Sequence, residues 1–343
     1  MQILSAAEAI SPALNRTKRL LFQPFRFGTF LKLCAVAVVT EGFSGNWRFN
    51  DHSSVPQAGH SNTMFAWNPN WVVGFAAIAI ASVILGFVLL YLVVRLRFAL
   101  FNCLIHQTPW IRPGWRMYGE QARRFYLLSI WVGIVYFAAA VAALLPFADR
   151  LFRLFKEGRL VEHTDWAALI PIALQLAPVI LVLMIAALAI DVILRDFMLP
   201  HIALENATVG DAWSAVVERI ATEKGSFVLY ALLRIMLPMV AYIGLFIVLV
   251  IPTFLVFMVP GALIAAVHAV TVNASAGVAA VGIFFEVVLG AALVALGILL
   301  AIGCGGPLCV AIRNYALVFY GGRYKALGDV LYPPAPLQPP TTA

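Results

Sequence analysis

The chain has 343 residues, of which 63% are apolar and 11% are charged. An average soluble domain has roughly 25% charged residues, so this composition excludes a soluble enzyme and a DNA-binding protein. The mean hydropathy is +0.94, and several apolar runs exceed the roughly 18 residues that indicate a membrane-spanning helix. The net charge of +7 comes from basic residues that flank these runs, which is typical of contact with anionic lipid. The predicted fold class is therefore an all-α, polytopic membrane helical bundle.

The apolar runs predict about six transmembrane helices behind a basic N-terminal segment. Residues 1–26 interleave basic and apolar side chains, which is typical of a cytoplasmic helix that lies in the lipid headgroup region. Lys32 and Glu41 fall near the ends of the first span, where long side chains reach water. A single transmembrane domain, residues 27–331, precedes a Pro-rich tail at 332–343 that we expect to be extended. The predicted spans are 27–43, 71–94, 125–147, 166–190, 226–251 and 282–312.

The distribution of Lys and Arg predicts the orientation. If both termini are cytoplasmic, the inner segments hold sixteen Lys and Arg residues and the outer segments hold five, so the positive-inside rule favours this arrangement. It requires an even number of spans. Residues 252–270 would then extend the fifth helix obliquely, or form a partial hairpin broken at Pro252 and Pro260. The expected location is the cytoplasmic (inner) membrane.

Several short motifs resemble those of a known group of proteins. Residues 196–200 read DFMLP, residues 204–213 read LENATVGDAW and residues 229–234 read LYALLR. Together with PFRFGT at 24–29 and RNY at 313–315, they resemble uncharacterised bacterial six-span membrane proteins that are similar to the membrane region of some glycerophosphodiester phosphodiesterases. The resemblance implies six spans and no known activity. The catalytic domain is absent, because no repeating βα stretch exists to form a barrel.

Arg234 is the most unusual residue within a predicted span. It lies about eight positions into the fifth span, roughly 12 Å deep at 1.5 Å per residue, where an unpaired guanidinium is costly. Asp191 lies at a comparable distance from the cytoplasmic end of the fourth span, so we expect an Asp191–Arg234 pair, joined by Asp196. The pair is either a structural link between helices or a polar site for a lipid headgroup or small anion, for which Arg offers bidentate donors.

Glu286 is a second candidate, one turn inside the outer end of the sixth span. It is either a carboxylate at the membrane interface or part of a proton or cation relay. A relay needs further acidic groups at depth, and Glu41 is the one acidic residue that qualifies.

A basic and aromatic belt is predicted to contact anionic lipid on the cytoplasmic side. Trp110, Trp115 and Tyr118 lie among its arginines, a composition typical of the membrane interface. The predicted lipid-contacting arginines are Arg95, Arg97, Arg112, Arg116, Arg123 and Arg124.

No residue spacing predicts catalysis, a metal site or a cofactor. The six histidines show no metal-ligand spacing, and no nucleophile elbow or phosphate loop occurs. The four cysteines lie within or beside apolar segments, so disulfides are not expected.

These features predict a non-catalytic integral membrane protein, either a lipid-contacting scaffold or a subunit of a membrane assembly. Its expected partners are membrane lipids, other membrane proteins or further copies of itself, and not nucleic acid. The alternative is a transporter or lipid-handling protein with a polar site around Arg234 and Asp191. A closed ion pair at Arg234 favours the scaffold, whereas a water-filled cavity that reaches it favours transport.

Overall fold

A computed structural model describes residues 4–42, 69–156, 166–271 and 276–333. These residues form helices and connecting turns without a β-strand, which confirms the predicted all-α class. A π-helical turn, Ile193–Met198, joins the sixth and seventh helices. The Pro-rich tail from residue 334 onward lies outside the described residues. The helices in chain order are α1 (Ile10–Phe22), α2 (Phe27–Gly42), α3 (Pro69–His106), α4 (Ile111–Met117), α5 (Gly119–Lys156), α6 (Trp166–Val192), α7 (Leu199–Leu204), α8 (Val209–Thr222), α9 (Lys224–Thr271), α10 (Ala276–Gly321) and α11 (Lys325–Leu331).

Among the described residues, five helical stretches are long and apolar enough to cross a membrane. Their most apolar segments contain almost no buried residues. Apolar surface of this extent is stable against hydrocarbon and not against water, so the composition and the structure both indicate a membrane-embedded protein. The stretches are Ala76–His106, Gly119–Leu154, Leu169–Leu204, Lys224–Thr271 and Gly277–Gly321.

The first predicted span is not among these five. Helix α2 has 16 residues, about 24 Å at 1.5 Å per residue, which is shorter than a hydrocarbon core of about 30 Å. It packs along α10 instead, with Cys34 against Gly306 and Glu41 against Arg313. The second contact lies seven residues after the first on both helices, so α2 and α10 run parallel.

Helix α1 packs on α10 in the opposite direction and forms a hairpin with α2. Its side chains Ala13, Thr17 and Leu21 are buried, a spacing of four residues that places them on one helical face. The buried amide of Asn314 on α10 donates a 2.9 Å hydrogen bond to the Thr17 hydroxyl. The basic segment 1–26 therefore contributes a helix that is docked on other helices through its apolar face.

Helix α9 is continuous over 48 residues although it contains Pro238, Pro252 and Pro260. Residues 252–270 continue this helix, which corresponds to the alternative that extends the fifth helix and not to the partial hairpin. A proline within an apolar helix removes one backbone hydrogen bond, which neighbouring groups can satisfy, so it need not end the helix. At about 72 Å, α9 is more than twice as long as a span requires.

The described residues form two compact units. The first unit comprises residues 4–42, 100–114, 222–271 and 276–333. The second unit comprises residues 69–99, 115–156 and 166–221.

Stacked aromatic rings form the core of the first unit. The Tyr230 ring lies 4.4 Å from the Phe319 ring and 5.3 Å from the Tyr315 ring, with both pairs nearly parallel. Phe227 meets Phe319 edge to face, and the Arg323 guanidinium lies 4.1 Å from the centre of the Phe319 ring. Offset stacks and cation–π contacts of this kind add to the gain from burial. The start of α9 and the end of α10 are therefore held together, while their apolar remainders stay exposed.

The second unit has a smaller aromatic core where α3 meets α5. Phe98 contacts Tyr118 and Phe125 at ring distances of 5.8 Å and 5.7 Å. Farther along α5, the Tyr136 hydroxyl donates a 3.0 Å hydrogen bond to the Leu183 carbonyl of α6. This bond satisfies a hydroxyl within an apolar stretch of the two helices.

Gly306→Ala is expected to destabilise the protein by about 1–3 kcal/mol, the usual cost of overpacking. The added methyl group would lie 2.7 Å from the Cα atom of Cys34, which is backbone and cannot rotate away. Gly303→Ala is the matched control, because nothing lies within 4 Å of a methyl group there and alanine favours helix. Thermal unfolding in detergent measures both. Equal melting temperatures for the two variants would contradict the close approach of α2 to α10.

Candidate functional site

The most concentrated polar group of the first unit is a carboxylate held by two guanidinium groups. Glu41 ends α2, Arg234 lies on α9 and Arg313 lies on α10. The Nε atom of Arg313 is 2.6 Å from Oε1 of Glu41. The Nη2 atom of Arg234 donates a 3.3 Å hydrogen bond to Oε2 of Glu41. Each carboxylate oxygen therefore faces a different arginine, and we call these three residues the Glu41 cluster.

The Glu41 cluster is nearly closed to solvent. The exposed fractions of its side chains are 13% for Glu41, 11% for Arg234 and 9% for Arg313. A charge at this burial is costly when it is alone, and removal of one partner of a buried pair typically costs 3–5 kcal/mol, as an order of magnitude. The cluster therefore links α2, α9 and α10 through charges that depend on one another.

Polar side chains adjoin the cluster along the same helices. The Tyr242 hydroxyl lies 4.0 Å from the Cys309 sulfur, two turns beyond Arg234 on α9. Tyr315 is 1% exposed, and its hydroxyl has no hydrogen-bond partner within the described part of the chain. No group of three possible metal ligands occurs among the described residues. The site therefore offers guanidinium, phenol and thiol groups rather than a metal-binding set.

The predicted Asp191–Arg234 pair stays a prediction, and each of the two residues has another partner within its own unit. Arg234 binds Glu41, whereas Asp191 accepts hydrogen bonds of 2.9 Å and 3.2 Å from Nη1 of Arg195. Arg195 lies one turn after Asp191 and its side chain is 2% exposed, so the local helical spacing brings this pair together. Asp196 is buried in the same π-helical turn.

Glu286 pairs with a residue that the sequence interpretation did not use. Its carboxylate lies 3.3 Å from Nδ1 of His268, which projects from α9. The Glu286 side chain is 19% exposed and the His268 side chain is 66% exposed. The pair lies toward the opposite ends of α9 and α10 from the Glu41 cluster, so these two carboxylates do not form one local acidic site.

Three of the predicted lipid-contacting arginines have partners within the protein. The Nε atom of Arg95 donates a 3.3 Å hydrogen bond to the Trp115 carbonyl, and its guanidinium stacks over the Trp115 ring. Arg97 is buried. Arg124 forms an exposed 2.6 Å ion pair with Glu120, four residues earlier.

The other three predicted lipid-contacting arginines are exposed. Arg112 and Arg116 lie on α4, and Arg123 lies near the start of α5; all three are exposed. These side chains are free to meet a membrane surface, as the prediction requires.

His201 and Glu205 have the four-residue spacing of a metal-ligand pair, and the structure supplies a third partner of a different kind. Nδ1 of His201 lies 3.4 Å from Glu205, and Nε2 lies 3.1 Å from Nη1 of Arg219. An arginine can only donate, so Nε2 accepts and Nδ1 carries the proton toward the carboxylate. This arrangement is a structural link and not a metal site.

An apolar groove in the first unit lies between α1, α9 and α10. Its volume is about 360 Å³, and Leu14 and Phe22 on α1 face Leu245 on α9 and Leu308 on α10 across it. Lys18 is the one charged residue in its lining. The groove is thus a mainly apolar site with a single cation at its edge.

Arg16, on the same helix as Lys18, forms hydrogen bonds with backbone carbonyls. Its guanidinium donates hydrogen bonds to the carbonyls of Leu104, Ile105 and Leu331. Burial is the main cause that lowers the pKa of this guanidinium below its usual range, with Arg19 adding to the effect and Tyr332 opposing it. This charge therefore anchors α1 to two other segments of the first unit.

The interpretation of the sequence missed Arg313, His268 and Lys18. Arg313 lies at the end of an apolar run, which is a signal that it could meet a buried carboxylate. Nothing in the sequence indicated which carboxylate that would be.

Comparison with known proteins identifies a family without an assigned activity. Residues 4–330 match the model of DUF7544, described as a family of unknown function. No curated protein and no solved structure matches the chain.

Glu41→Gln is expected to lower the free energy of unfolding by about 3 kcal/mol, because it leaves two nearly buried guanidinium groups without their carboxylate. Glu120→Gln is the matched control, since its ion pair with Arg124 is exposed and is worth less than about 1 kcal/mol. Thermal unfolding of both variants in the same detergent gives the comparison. A melting temperature for Glu41→Gln as high as that for Glu120→Gln would contradict a stabilising role for the cluster.

Proposed function

The chain belongs to DUF7544, and on that premise we propose that it is a non-catalytic membrane protein that contacts lipid as a scaffold or as a subunit of a membrane assembly. The closed Glu41 cluster is the observation that carries this proposal. Arg234, the cation that a transport site would have used, is 11% exposed and bound to Glu41. Its charge therefore serves to join helices.

The groove supports a lipid-contacting role in a second way. Its lining is apolar apart from Lys18 and Thr17, and the Thr17 hydroxyl is already bonded to Ala13 and Asn314. The walls therefore offer a hydrated solute few hydrogen-bonding groups to replace its water. Pockets that bind polar solutes place several polar groups around the ligand. An apolar groove on exposed apolar helices is instead suited to hydrocarbon.

We also propose that both ends of the chain lie on the cytoplasmic side of the inner membrane. The first described residues and the last helix are bonded to each other, since Arg323 donates a 3.0 Å hydrogen bond to the Leu4 carbonyl and Arg16 bonds the Leu331 carbonyl. Segments that are bonded in this way lie on one side of a membrane, and the excess of Lys and Arg favours the cytoplasmic side. The six-span arrangement and the likeness to the membrane region of glycerophosphodiester phosphodiesterases stay predictions.

Purification of the full chain with its native lipid, followed by native mass spectrometry, tests the proposed function. We expect the protein to retain phospholipid or a stoichiometric protein partner. In parallel, liposomes that contain the protein should release trapped inorganic phosphate no faster than protein-free liposomes, because Arg234 has no vacancy for a small anion.

Saturable release of phosphate that is lost in Arg234→Gln would overturn the proposal in favour of transport. Lys32→Gln is the control for that experiment, since it removes one positive charge at a position outside the Glu41 cluster.

A further inference from the structure

The groove of the first unit lies beside two helices that are long and apolar enough to cross a membrane. Its floor runs along α10 from Ala311 to Cys304, about 10 Å at 1.5 Å per residue. Ala241 and Leu245 of α9 form one wall, and beyond them Val248 on α9 is 71% exposed. The groove therefore continues into an apolar helix surface and does not end in a polar chamber.

The second wall, α1, carries positive charge that forms no ion pair with a carboxylate of the described residues. Helix α1 contains Arg16, Lys18 and Arg19 and no acidic residue. None of these three cations forms an ion pair within the described ranges of the chain, and Arg16 is committed to backbone carbonyls. Lys18 is exposed and lines the groove. A groove occupant that carries an anionic group would therefore find a cation at the groove edge.

The turn between α1 and α2 presents aromatic rings at one end of the groove. Phe22, Phe25 and Phe30 contact one another at ring distances of 5.6–6.3 Å. Phe22 is 45% exposed and Phe25 is 55% exposed even with these contacts. Exposed aromatic rings beside basic residues are typical of a segment that enters the membrane interface. This places the Phe22 end of the groove toward hydrocarbon and Lys18, one helical turn away, toward the headgroups.

We propose that this groove binds one acyl chain of an anionic phospholipid, with the phosphate-bearing headgroup at the Lys18 ammonium. The proposal rests on the lipid-contacting function proposed above and names the class of lipid and the site. The groove holds the methylenes nearest the headgroup between Leu14, Phe22 and Leu308, and the rest of the chain follows the exposed face of α9. The volume of about 360 Å³ falls within the range of roughly 300–1,000 Å³ that small-molecule sites occupy.

The apolar walls and the Lys18 charge together indicate which ligand fits the groove. Free inorganic phosphate would use Lys18 but would leave the apolar walls without a ligand. A zwitterionic lipid would fill the walls but would gain little from the charge of α1. An anionic lipid matches the walls and the charge together.

Native mass spectrometry of the purified full chain in detergent, titrated with phosphatidylglycerol or phosphatidylcholine, tests the site. We expect the wild-type protein to retain one phosphatidylglycerol in preference to phosphatidylcholine. Lys18→Gln should weaken retention of phosphatidylglycerol about fivefold, the effect of one basic residue near a lipid headgroup, and should leave retention of phosphatidylcholine unchanged. Lys32→Gln is the matched control, because it removes the same charge from the same hairpin at a position outside the groove.

A second variant tests the apolar walls. Ala241→Phe should fill the groove and abolish retention of the preferred phosphatidylglycerol, whereas Ala265→Phe on the exposed part of the same helix should not. If Ala241→Phe does not fold, the exposed Lys18→Gln substitution still decides the charge requirement.

Two results would overturn the site. One is equal weakening by Lys18→Gln and Lys32→Gln, which would indicate diffuse attraction to the whole hairpin. The other is equal retention of both lipids by the wild-type protein. Either result leaves the lipid-contacting function intact, provided that native lipid still copurifies. Phosphate flux that depends on Arg234 would overturn that function whatever the groove binds.

Discussion

The Glu41 carboxylate holds α2, near the N-terminus of the protein, against α9 and α10. Glu41 lies between Arg234 and Arg313 at distances of 3.3 Å and 2.6 Å, with all three side chains nearly closed to solvent. Because such charges are costly apart and favourable together, the three helices that carry them are stabilised mainly in one register. The same register brings Cys34 against Gly306 and opens the groove between α1, α9 and α10. The lipid site proposed here thus depends on an ion cluster that does not itself contact the lipid.

The pattern of buried and exposed residues differs between the polar and the apolar parts of the helices, because hydrocarbon solvates only apolar groups. Residues 309–321 of α10 are buried, and aromatic rings in this segment stack on α9. The preceding thirty or so residues of α10 are mainly apolar, and almost all of them are exposed or partly exposed. In water this would be an unstable arrangement, whereas in hydrocarbon the exposed face costs nothing and only the polar groups need partners. Hence the described polar contacts of α9 and α10 are few, specific and placed near the helix ends.

Several features of the fold were predictable because they depend on local sequence. The long apolar runs predicted α3, α5, α6, α9 and α10, and the apolar face of segment 1–26 predicted an amphipathic helix. The status of α2 was not predictable from hydropathy, because a 16-residue apolar helix suits either a short span or a helix packed on a neighbour. The continuity of α9 through Pro252 and Pro260 was equally open, since proline kinks and proline breaks look alike in sequence.

The sequence by itself determined that this chain is an all-helical membrane protein with unusual charges at Arg234, Asp191 and Glu286. It determined this because the hydrophobic period and the rarity of charge in apolar runs are properties of single helices. Only the tertiary structure decided that Arg234 meets Glu41 and that Lys18 borders an apolar groove. These pairings depend on which helix faces which neighbour. Packing between helices that are far apart in sequence determines which helices face each other, and the spacing of residues within one helix does not indicate it.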